Sequence, residues 1–220
     1  MSILLVLPFI PAFVEWRFPQ DSGVLELCHS ETHTAVFSGQ KILDIGMVFH
    51  SIQAECIRCG MCNITHPGFP LSTTLPSFTP DSARWYSGQH FWRSQGDIVI
   101  PPEVMVSGDL IADGNIILGA RSVINGSVKS GGCLDVHNQA RIEGGGIAED
   151  ITLHYAAAVS GVLVARRTIR LKTHSQVGSP TCSASVVATD IMLNPGACVY
   201  GAIHAHHQAW VVEMDEEYNQ

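Results

Sequence analysis

The stretch Ile116-Ile-Leu-Gly-Ala-Arg-Ser-Val-Ile-Asn-Gly-Ser-Val128 decides the fold. Ile116 and Leu118 alternate as they would on one face of a strand. A short bend follows, and Ser122, Ile124, Gly126 and Val128 then alternate again. Period two marks a strand, and the helical spacing i, i+3, i+4, i+7 is missing. The unit recurs on both sides of this stretch. Ile98 and Ile100 lead to Val104, Val106, Gly108 and Leu110, and Leu134 and Val136 lead to Ala140, Ile142 and Gly144. Ile151 and Leu153 lead to Ala157, Val159, Gly161 and Leu163, and Ile169 and Leu171 lead to Ser175, Val177 and Gly178. Ile191 and Leu193 lead to Ala197, Val199, Gly201 and Ile203. The first apolar residue precedes the glycine by ten positions in five of the six copies and by nine in the other. Successive glycines lie 18, 18, 17, 17 and 23 positions apart, the last interval holding an inserted loop around Ser179–Ser185.

Such units are too short to fold singly, and internal repeats of this length mean stacking. A unit of about 18 residues divides into three sides of about six, and stacked units lie about 4.8 Å apart with their aliphatics inside. The small residue and the glycine suit the corners. The expectation is an all-β protein: a three-sided parallel β-helix (solenoid) of about six coils, preceded by a small irregular or mixed N-terminal region. The chain divides into an apolar segment at 1–18, an N-terminal region of unassigned fold at 19–96, the β-helix at 97–206 and an acidic tail at 207–220. Left-handed and right-handed coils both use this length, and the residues do not choose between them.

Composition narrows the function. Hydrophobic residues make up 46% and charged residues 15%, which excludes a disordered chain. The net charge is −8 and no stretch is rich in Lys or Arg, so no nucleic-acid partner is expected. Seven cysteines, an odd number, do not make the disulfide framework of a small secreted domain, and a reducing, cytoplasmic compartment is the simpler reading. Ile3 to Val14 is apolar but interrupted by Pro8 and Pro11. As a helix it would cover roughly 18 Å, short of a bilayer core of about 30 Å. With Trp16 and Arg17 after it, Leu4, Leu5, Leu7, Phe9, Phe13 and Trp16 form a candidate contact with the inner face of the cytoplasmic membrane. The competing reading is an N-terminal strand or arm buried on the domain.

The runs Val106-Ser-Gly-Asp-Leu-Ile-Ala112, Ile124-Asn-Gly-Ser-Val128 and Val159-Ser-Gly-Val-Leu-Val-Ala165 resemble the bactofilins, bacterial polymer-forming cytoskeletal proteins. The resemblance covers about 97–205. It implies a right-handed parallel β-helix of about six windings that polymerises end to end without nucleotide, often on the membrane through a short apolar N-terminal segment. The long aromatic stretch from Pro19 to Gly96 departs from that pattern. The physical argument runs alongside. Both ends of a β-helix expose unpaired N–H and C=O groups, and an uncapped end is a template for another molecule. The expected assembly contact is the last coil with the strand after it, through Val199, Tyr200, Ile203 and Trp210, and the expected partner is a second copy of the chain.

Within the N-terminal region, Gly23 to Cys28 reads as a strand, Lys41 to Ile57 as either helix or strand, and Pro67 to Pro80 as a loop. Trp85, Tyr86, Phe91 and Trp92 are expected to pack this region on the first coil, with a carbohydrate or partner surface as the sharper alternative. Cys56-Ile-Arg-Cys59-Gly-Met-Cys62-Asn-Ile-Thr-His66-Pro67 resembles the iron–sulfur loop of bacterial ferredoxins, with His66 at the place of the fourth cysteine. Cys56, Cys59, Cys62 and His66 are therefore candidate ligands for an iron–sulfur cluster or zinc, against three plain reduced thiols in a loop or strand. Cys133, Cys182 and Cys198 are expected to pack as small apolar residues.

The leading expectation is a bactofilin-like structural protein that self-assembles or serves as a membrane-associated scaffold, not an enzyme. One alternative is a hexapeptide-repeat-type acyltransferase, with His137, His154, His174 or His204 as the base. The other is a monomeric adaptor that uses the β-helix as a spacer.

Overall fold

Short strands that wind coil upon coil build most of the described fold, with antiparallel strand pairings only towards its two ends. The computed structural model describes residues 34–60 and 75–212, both within one compact unit, Thr32–Gln220. The chain begins with β1 (Ala35–Val36), β2 (Gln40–Leu43) and β3 (Val48–Cys59), then β4 (Arg84–Tyr86) and β5 (Phe91–Ser94). The repeat proper opens with β6 (Ile98–Ile100), β7 (Met105–Ser107) and β8 (Asp109–Ala112), and the next coil with β9 (Ile116–Leu118), β10 (Val123–Asn125) and β11 (Val128–Ser130). It continues through β12 (Cys133–Val136), β13 (Arg141–Ile142), β14 (Gly146–Leu153), β15 (Ala158–Val159), β16 (Leu163–Leu171), β17 (Gln176–Val177), β18 (Ala184–Leu193) and β19 (Cys198–Val211). From β14 on, one strand bends around a corner and serves two sides. The first part of β14 pairs with β11 and its second part with β12.

Every coil-to-coil pairing in the repeat is parallel and keeps like residues in register. One interior ladder runs Ile98, Ile116, Leu134, Ile151, Ile169, Ile191 and Ala209. The second side contributes Val106, Ile124, Ile142, Val159, Val177 and Val199. These side chains are 0–1% exposed, so the core is one continuous aliphatic column. Each fully buried Leu or Ile contributes about 1.5–3 kcal/mol relative to exposure.

Two corners carry their own chemistry. After the first side, Glu103, Arg121, Gln139, Ala156 and His174 all take a left-handed backbone with φ of 55–60°, and Gly196 follows at 83°. After Glu103 comes the partly buried Val104, and the residue after each of the other five turns a small side chain into the core: Ser122, Ala140, Ala157, Ser175 and Ala197, each 0% exposed. At the glycine corner the coils approach so closely that no Cβ fits. A Cβ on Gly126 would stand 2.5 Å from the Gly108 carbonyl oxygen, and one on Gly144 would stand 2.7 Å from that of Gly126. Side chains seal the rims: Asp109 Oδ1 accepts the Ser127 N–H at 2.6 Å, and Asn115 Oδ1 accepts the Cys133 N–H at 2.8 Å.

The solenoid has about nine turns, against about six expected. The extra turns lie at both ends. β5 lies parallel beneath β8 as part of a winding below the first coil, and β4 folds back antiparallel on β5. At the far end β3 runs antiparallel along β19, with Phe49 opposite Ala209, Ile52 opposite Ile203 and Ile57 opposite Val199. β1 and β2 then pair parallel on β3. Residues 34–60 thus wind as coils on the C-terminal end of the repeat, with the chain running the other way. Lys41–Ile57, read as helix or strand, is strand apart from the turn between β2 and β3. No helix of the described residues is long and apolar enough to cross a membrane.

Candidate functional site

The corner ladder brings together three polar side chains that lie 2 and 19 residues apart in sequence. Asp135 points outward on β12, His137 begins the following corner, and His154 occupies the same corner one coil on. His154 Nε2 lies 2.7 Å from Asp135 Oδ1, and His137 Nε2 lies 3.5 Å from Asp135 Oδ2. The two imidazoles tilt against each other with centroids 5.1 Å apart. The hydrogen bond from His154 lowers the Asp135 carboxyl below its usual range, against the opposing effect of partial burial. The two nitrogens and one oxygen lie within 4.8 Å of one another, a donor set that suits zinc, with all three groups half-buried. Of the histidines singled out in the sequence, His137 and His154 meet here. His174 sits in the next coil, 3% exposed, with burial lowering its pKa. His204 lies on β19, where its Nδ1 is 2.6 Å from the Ser51 hydroxyl.

A second cluster straddles the antiparallel seam. On β3 the side chains of Cys56 and Arg58 face outward, while Ile57 and Cys59 face the core. On β19, Val199 fills the core and Cys198 and Tyr200 alternate away from it. Cys198 stands opposite Arg58, and its sulfur lies 3.3 Å from that of Cys56. The Cys56 thiol is lowered to about 6, first by its hydrogen bond with Cys198 and then by Arg58, while burial opposes the shift. The Cys198 thiol is raised by the same bond and by burial. One proton shared between two sulfurs accounts for both directions.

Two expectations fall on this seam. Cys56 and Cys59 point to opposite faces of one strand, so they do not converge on a single metal or cluster. Burial pushes Cys59 up to about 12. Cys62 and His66 lie outside the described residues, as does the apolar segment with Leu4, Leu5, Leu7, Phe9, Phe13 and Trp16. The expected assembly edge is occupied from within the chain: Val199 pairs with Ile57, Ile203 with Ile52 and Trp210 with Val48. Cys133 and Cys182 are exposed rather than packed.

The ends and one side carry the exposed apolar surface. Val36, Ile42, Ile45 and Val48 crowd the cap, and Val36 is 69% exposed. At the other end Trp85 tilts against Trp92 and Tyr86 stacks on Phe91, each pair 4.8 Å between centroids. The Trp92 indole donates to the Ser107 carbonyl at 3.0 Å and holds the aromatic hairpin on the first coil, while residues 34–60 of the same N-terminal region sit at the opposite end. Along one side, Ile147, Val162 and Val164 line a shallow open groove with Lys129.

Two participants escaped the sequence reading, and both had a signal. The 17-residue offset between His137 and His154 matches the repeat, which stacks them and brings Asp135 alongside. Cys198 lies three residues before a repeat glycine, at an outward position of its strand. The fold places the chain among the β-solenoids. No family model, curated protein or solved structure matches it.

Proposed function

We propose that this chain is a structural protein that associates with copies of itself through its terminal windings, a bactofilin-like scaffold in character. The observation that carries the reading is the state of the outermost strands. Among the described residues β1 and β2 pair only with β3, and β4 pairs only with β5, so each leaves a strand edge open. Open edges carry unpaired N–H and C=O groups, and apolar side chains beside them favour a second strand over water. Val36 and Ile42 flank one edge, and Trp85 and Tyr86 the other. The edge of β19 is not open in this way, since β3 pairs along it.

A second copy is the favoured occupant because the edge asks for a strand in the geometry this chain repeats from coil to coil. The test is light scattering with negative-stain microscopy of the full chain. Oligomers or filaments that disperse in Val36→Lys and Ile42→Lys support the reading. A monomer at every attainable concentration overturns it and leaves the adaptor. Contact with a membrane surface through residues 1–18 belongs to the same proposal. It requires that the full chain sediment with anionic vesicles and that a chain starting at residue 19 stay in solution.

A second reading rests on the Asp135–His154 pair, a base held by a carboxylate in the manner of acid–base catalysts. It assigns acyl transfer, and it requires acetyl-coenzyme A binding that is lost in His154→Ala.

A further inference from the structure

We propose that Cys56 and Cys198 form a reversible intrachain disulfide that clasps the N-terminal cap to the last coil, with a hydroperoxide as the oxidant. The inference is independent of self-assembly. It rests on the placement of two sulfurs brought together across 142 residues of chain. Their separation is 3.3 Å, and a disulfide needs about 2.05 Å, so closing the gap asks for side-chain rotation and little backbone movement. Both residues lie on neighbouring strands of the antiparallel seam and face the same side of it.

The surroundings divide the labour. Cys56 is half-buried and reachable, whereas Cys198 is 2% exposed. Arg58 lies beside Cys56 and opposite Cys198, and Tyr200 sits within hydrogen-bonding reach of both sulfurs. A positive group next to the more accessible sulfur is the setting in which a thiolate forms and reacts. The Cys56 thiolate attacks one oxygen of the hydroperoxide. The O–O bond breaks, Cys56 becomes a sulfenic acid, and the departing oxygen leaves as water or alcohol after taking a proton. Cys198 then gives up its proton and attacks the Cys56 sulfur. The S–O bond breaks and water departs. Two thiols lose two electrons, the peroxide gains them, and a dithiol reductant reverses the change.

The bond would tie β3 to β19. Because β1 and β2 are held by β3, the whole cap would be fixed to the repeat. Cys59 is sealed in the core, and Cys133 and Cys182 are exposed without a described cysteine beside them, so they serve as internal controls.

The experiment treats the purified full chain with hydrogen peroxide, alkylates the remaining thiols and maps the peptides. The expected result is a linked peptide pair containing Cys56 and Cys198 in monomeric chain, reversal by dithiothreitol, and a melting temperature several degrees above the reduced form. In Cys198→Ser the expected product is a Cys56 sulfenic acid that a dimedone probe traps, with the melting shift lost. Full alkylation of Cys56 and Cys198 after Cys133 and Cys182 have oxidised overturns the proposal. So does a bond from Cys56 to any other cysteine. If Cys198→Ser does not fold, the peptide map of the unaltered chain decides alone.

Discussion

Gly126→Ala adds one methyl carbon where two coils approach closely. That carbon would stand 2.5 Å from the Gly108 carbonyl oxygen and 2.6 Å from the Gly108 carbonyl carbon. Both atoms are backbone of the adjacent coil, held by a ladder in which the Gly108 N–H donates to the Asn125 carbonyl at 3.1 Å. No rotamer relieves the overlap, so the coils must part or tilt. Overpacking of this kind costs about 1–3 kcal/mol. For a domain of this size each kcal/mol moves Tm by about 2–4 °C, giving a fall of about 2–12 °C. The control is Gly88→Ala in the β4–β5 turn, where a Cβ meets nothing within 4 Å, and a change within about 0.5 kcal/mol is expected. Circular dichroism melts of both variants beside the parent chain make the comparison. If Gly126→Ala melts with the parent, or both variants fall together, the glycine does not set the coil spacing and the packing argument fails.

Leu134→Ala empties a fully buried place in the first-side ladder and should cost about 2–5 kcal/mol in urea unfolding, with an unchanged m-value. Asp135 has a lowered pKa in the folded chain, so its contribution is present above the ordinary aspartate range and is lost as pH falls through the folded value. The Tm gap between Asp135→Asn and the parent should therefore close in acid, which melts across a pH series would read. His174 is held neutral by burial, so the unfolded chain takes up its proton first and stability should fall as pH drops below the ordinary imidazole value. His174→Gln, a residue that Gln139 shows to fit this corner, should remove that part of the acid slope.

The repeat was legible because interior residues sit at a constant offset from a glycine, and both features answer to coil spacing. Ile116, Leu118, Ile124 and Val128, read as the inward positions of one unit, are all 0–1% exposed. The cap was not legible. β3 owes its place on the repeat to β19, 140 or more residues away in sequence, and its alternation slips near Ala54–Cys56 where the register with β19 shifts. The cysteine motif was hard to place for a related reason. Spacing alone suggests convergence in a loop, but on a strand three positions send Cys56 and Cys59 to opposite sides. The Asp135 cluster was half legible: the repeat aligned the two histidines, while the neighbouring carboxylate needed the turn of the corner to bring it near.

The antiparallel seam also sets an order of events during synthesis. Coils of the repeat can form one after another as the chain emerges, each resting on the one before it. Val48–Cys59 is made before the repeat, yet its template, Cys198–Val211, is made only after the coils between them. The early strand has to wait, unpaired, while more than a hundred residues are added. A chain stopped short of Cys198 would keep its stack of coils and lose its lid, with a sticky strand left hanging at each end of the fragment.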